Sequence, residues 1–131
     1  MKNLSIPLPN YGQYNSFAAY KFVGNELLER LKNKSIEYFN TDCILNCLND
    51  VIDNIVTFYD SLDTSWEMWK EVSLDCIAAH RESMRKYSDY YSALNLAISD
   101  YRFSFNSFDE LTLDDVKSIV DSKIEIARKR L

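Results

Sequence analysis

The chain has 131 residues, of which 47% are hydrophobic and 14% aromatic, and a net charge of −5. That length gives one domain with a real core, and that composition excludes an intrinsically disordered chain. The negative balance argues against general binding to nucleic acid or to anionic membrane, and it suits a basic partner.

The N-terminal stretch "MKNLSIPLPNYGQ" carries Pro7, Pro9 and Gly12 and alternates Leu4, Ile6 and Leu8. It reads as an extended lead-in over residues 1–14, with the prolines confining it to an edge or to polyproline geometry. It has one lysine and no long apolar run, so it does not read as a signal peptide. No run of 18 apolar residues occurs anywhere, which removes the signature of a membrane-spanning helix.

From residue 25 onward there is no glycine and no proline. Strand-rich domains need many turns at positive φ, so this absence predicts helices joined by Asn, Asp, Ser and Thr caps. The first helix starts near Asn15 or Ser16, with Phe17, Tyr20, Val23, Leu27, Leu28 and Leu31 on one stripe. Gly24 lies inside that stripe, at a cost of about 1 kcal/mol against Ala. Its presence there implies that another element comes close.

The second helix follows Asn40 or Thr41 and buries Ile44, Leu48, Val51, Ile52, Ile55, Tyr59 and Leu62. Thr64 and Glu67 form a capping-box pattern, which predicts that this helix ends near residue 63 and a third opens at Ser65. The third segment steps by three and four through Trp66, Trp69, Ser73, Cys76, His80, Met84, Tyr87, Tyr91, Leu94, Ile98 and Tyr101. As one helix it would be roughly 54 Å long, against a radius of gyration near ~14 Å for a compact domain of this size, so a break or bend at "YSDYY" is expected. "RFSFNSF" then reads as a loop or short strand. A last helix opens after Thr112 with Asp114 and Asp115 in its first turn, closes on Arg128, Lys129 and Arg130, and turns Val116, Ile119, Val120, Ile124 and Ala127 inward.

The expected architecture is all-α: a single compact bundle of four to five helices spanning residues 1–131. The alternative is α+β, with "LSIPL", "SIEYF" and "RFSFNSF" pairing as a small sheet. The Trp/Tyr stripe would serve a homodimer seam as readily as an internal core.

Three cysteines, an odd count with no C-x-x-C pair, read as reduced thiols in a cytoplasmic setting. Cys43 and Cys47 stand four apart, as do Cys76 and His80, and His80 is the single histidine. If helices two and three fold back about residue 63, Cys47 lies sixteen residues before that point and His80 seventeen after. The four side chains would then be candidates for a tetrahedral zinc site in a zinc-stabilised domain. The competing reading is buried thiols packed as small hydrophobes, with no metal and no cofactor.

Catalytic patterns fail one by one. A Cys76–His80 dyad has no glycine-rich loop to supply oxyanion donors. There is no G-x-S-x-G, no P-loop and no G-x-G-x-x-G. A helical di-iron site needs Glu-x-x-His, and residue 77 is Ile. Carboxylate chemistry is the only enzymatic option left, and no pair of acids is singled out for it.

The acids are unevenly placed. Residues 37–75 hold nine acidic residues and one basic one, Lys70, whereas the other segments hold eleven acidic and fourteen basic. Asp42, Asp50, Asp53 and Asp60 track the side of helix two opposite its apolar stripe, and Asp63, Glu67 and Glu71 step by four along the next. This could be no more than the solvated face every amphipathic helix needs. As a functional surface it would dock a protein with a basic surface, such as a nuclease or another nucleic-acid enzyme, since aligned carboxylates imitate a row of phosphates. The expectation is a non-enzymatic interaction protein of the inhibitor, immunity, antitoxin or phage anti-defence kind, contacting no nucleic acid itself.

Overall fold

The computed structural model describes the backbone of residues 14–69, 74–106 and 110–130, and the side chains of 15–60, 88–106 and 110–130. Four α-helices account for most of the described residues: α1 (Tyr14–Asn33), α2 (Thr41–Trp69), α3 (Leu74–Ser104) and α4 (Leu113–Lys129). The all-α bundle expected from the absence of glycine and proline is what forms. Among the described residues extended pairing is limited to one antiparallel bridge between Phe39 and Leu111. Each of those residues donates its N–H to the other's carbonyl at 2.8 Å. "LSIPL" and the extended lead-in expected before Tyr14 lie outside the described residues.

Local chemistry sets the helix ends. Asn40 caps α2, its side-chain oxygen accepting the Cys43 N–H at 2.9 Å. Thr112 caps α4 in a reciprocal box: it accepts the Asp115 N–H, and the Asp115 carboxylate accepts the Thr112 N–H. That satisfies two of the donors a helix start leaves open. α1 stops where Ser35 turns left-handed at φ 54°, a conformation that costs a residue with a Cβ more than it costs glycine.

Two expected boundaries are corrected. Helix two does not end near residue 63: α2 runs without interruption through Thr64 and Glu67 for 29 residues. Nor does the next helix break at "YSDYY", because α3 is one helix of 31 residues that ends at Ser104 and takes in the first three residues of the stretch read as a loop or strand. The size argument for a break is met differently. α2 and α3 are each roughly 45 Å long and of nearly equal length, so each has the other alongside it. Their antiparallel register is set by Thr41 with the Phe105 carbonyl (3.1 Å), Asn49 with Arg102 (2.8 Å) and the Tyr59 and Tyr91 rings, 4.7 Å apart.

The core collects the predicted stripes on one side of each helix. Val23, Leu27 and Leu31 of α1 meet Ile44, Leu48, Val51 and Ile55 of α2, Leu94, Ile98 and Tyr101 of α3, and Val116 and Val120 of α4. Tyr90, Ala97 and Phe105 join them as buried residues outside the expected stripe. α1 is the central element, packed against all three other helices. Gly24 explains how. A Cβ there would lie 2.5 Å from Val120 Cγ1 and 2.7 Å from the Tyr101 hydroxyl, closer than real Cβ contacts come. The close neighbours implied by a mid-helix glycine are therefore α3 and α4 together.

Candidate functional site

The acidic face is carried by α2. Its buried residues, Ile44, Cys47, Leu48, Val51 and Ile55, occupy one side, while Asp42, Asp50, Asp53 and Asp60 are exposed. At 100° per residue the four aspartates fall within an arc of about 80°, opposite the core, along roughly 27 Å of helix. Asn46 and Asn49 are exposed beside them. Asn49 is held by Arg102 of α3, so a cation borders this face on its α3 side. α2 packs on α1 and α3, and those contacts leave the aspartate side turned outward.

The continuity of α2 changes the expected layout of the band. Asp63 and Glu67 belong to the same helix as Asp42 and Asp60, not to the next one. The carboxylates from Asp42 to Glu67 are thus strung along one rod and not divided between two arms of a hairpin. The side chains of Asp63 and Glu67, and all of Glu71, lie outside the described residues.

The cysteine–histidine proposal meets the same register. Cys43 and Cys47 are free thiols, half-buried and buried respectively, and Cys47 is part of the core. Burial pushes the Cys47 thiol above its ordinary range, because a low-dielectric surrounding disfavours the charged thiolate. Cys76 and His80 are in the first two turns of α3, and their side chains lie outside the described residues. Their place along the helix is enough. Cys47 is two residues from Asn49, which meets Arg102, and His80 lies roughly 33 Å from Arg102 along α3 at 1.5 Å per residue. Each pair lies near the start of its own helix, and because α2 and α3 run antiparallel the two pairs sit toward opposite ends of the helix pair. Among the described residues no group of three or more His, Cys, Asp or Glu side chains is arranged to hold a metal ion.

A second polar cluster is absent from the sequence reading. Asp100 of α3 accepts the Tyr20 hydroxyl of α1 at 2.6 Å on one carboxylate oxygen and the Lys123 ammonium of α4 at 3.1 Å on the other. Above it, the Tyr101 hydroxyl donates to the Tyr20 carbonyl at 2.8 Å. Partial burial works to raise Asp100, and it is outweighed by the Tyr20 hydrogen bond and by Lys123, which hold the carboxyl below the usual range. The Tyr20 hydroxyl is pushed up to about 12, by burial first and then by Asp100. Both oxygens of Asp100 have partners, and the cluster clamps three helices together. No single stripe could reveal it, since Tyr20 and Asp100 are brought together only by the packing of α3 on α1.

Among the described residues no helix is long and apolar enough to cross a membrane. The chain matches no protein-family model, no curated protein and no solved structure.

Proposed function

We propose that the protein is a non-enzymatic interaction protein that binds a basic protein partner through the outward face of α2, acting as an inhibitor of a nucleic-acid enzyme. The observation that carries this reading is the row of exposed aspartates, Asp42, Asp50, Asp53 and Asp60, set opposite the buried stripe of one continuous helix. A rigid helix holds such charges at fixed intervals, and an ordered row of carboxylates complements a cleft built to grip phosphates. The inhibitor, immunity, antitoxin and anti-defence classes named from the sequence all rest on this charge analogy.

The test compares capture of partners from the native cell by the unaltered chain and by the triple variant Asp42→Lys, Asp50→Lys, Asp53→Lys. A basic protein bound by the first at low salt, released as salt rises and lost by the second supports the proposal. Equal capture by both chains, or capture indifferent to salt, ends it.

A further inference from the structure

We draw no further inference here: the strongest candidate, the outward face of α3 where Leu96 and Phe103 stand two turns apart and 71% and 80% exposed, carries nothing because nothing in the structure shows what covers it.

Discussion

The Tyr101 side chain passes over α1 in the space that Gly24 leaves empty: its hydroxyl lies 2.7 Å from where a Cβ on residue 24 would be and donates to the Tyr20 carbonyl. Helix propensity alone would make Gly24→Ala stabilising by about 1 kcal/mol. The packing reverses the sign, because the new methyl meets Tyr101 and Val120 at once and overpacking typically costs about 1–3 kcal/mol. Urea unfolding of Gly24→Ala should show a lower midpoint. Adding Val120→Ala should cost less than the two single changes summed; a stabilised Gly24→Ala would show that the helices do not approach as described.

Ser35 has the opposite problem. Its φ of 54° is one that glycine adopts freely and serine does not. Ser35→Gly should raise stability by roughly 0.5–1 kcal/mol, read as an upward shift of the thermal midpoint of a few degrees.

Thr112 and Thr64 each head a capping pattern in the sequence, and only Thr112 caps a helix. Thr112→Ala should cost about 1 kcal/mol by leaving the Asp115 N–H without its acceptor. Thr64→Ala, inside a continuous helix, should be neutral or gain a few tenths of a kcal/mol. Denaturant titration of the two variants side by side separates a cap from a coincidence; a similar loss at Thr64 would restore the break near residue 63.

The clamp of Asp100, Tyr20 and Lys123 gives the fold a pH signature at both ends of the scale. An unfolded aspartate titrates near ~3.9, and Asp100 titrates lower in the native state. Its stabilisation is complete above that unfolded value and fades as acid carries the native group through its own lower one. Asp100→Asn should therefore be less stable than the parent at pH 7, with the gap narrowing below pH ~4. At the alkaline end, Tyr20 and Tyr90 are raised to about 12, both mainly by burial. They contribute stability below the unfolded value of ~10 and lose it as pH rises through about 12. Ultraviolet titration of the tyrosines should show a late group that ionises together with unfolding, followed by circular dichroism.

Reversing the charge of Asp42, Asp50 and Asp53 should leave the fold intact: the changes at Asp50 and Asp53 should fall within about ±0.5 kcal/mol, and Asp42, in the first turn of α2, should cost about 0.3–1 kcal/mol through the helix dipole. All three are exposed, and their side of α2 faces away from the core. Equilibrium unfolding checks this, and it is what makes the binding test interpretable. A large loss of stability would mean that these carboxylates serve the bundle itself.

The fold was readable where one residue type forbids an alternative. The lack of glycine and proline after Gly24 and the stripes of α1, α2 and α4 led to the right class and the right buried faces. The ends at Asn40 and Thr112 were readable because a cap is local chemistry. The break expected at Thr64 does not form, because the same pattern, Thr followed three residues later by Glu, also arises inside helices, and only tertiary packing decides between them. That one boundary extends α2 to Trp69, and the expected meeting of Cys47 and His80 goes with it. On α3, Leu94, Ile98 and Tyr101 are buried as expected, while Tyr90 and Ala97 widen the stripe because α1 covers that flank too. The outward placing of the aspartates on α2 followed from periodicity alone. The Asp100 clamp could not, since its contact between Tyr20 and Asp100 joins positions 80 apart.

The central position of α1 also bears on how the chain comes together. The turn-linked pairs, α1 with α2 and α2 with α3, can associate by closing short loops. The contacts of Gly24 with Val120 and of Phe39 with Leu111 instead join segments separated by most of the chain, and closing so long a loop carries a larger entropic cost. A nascent chain that has released α1, α2 and α3 still has the α4 side of α1 bare. α1 is thus completed only once α4 has been made, and until then its surface around Gly24, which Val120 comes to cover, is open to the wrong neighbour.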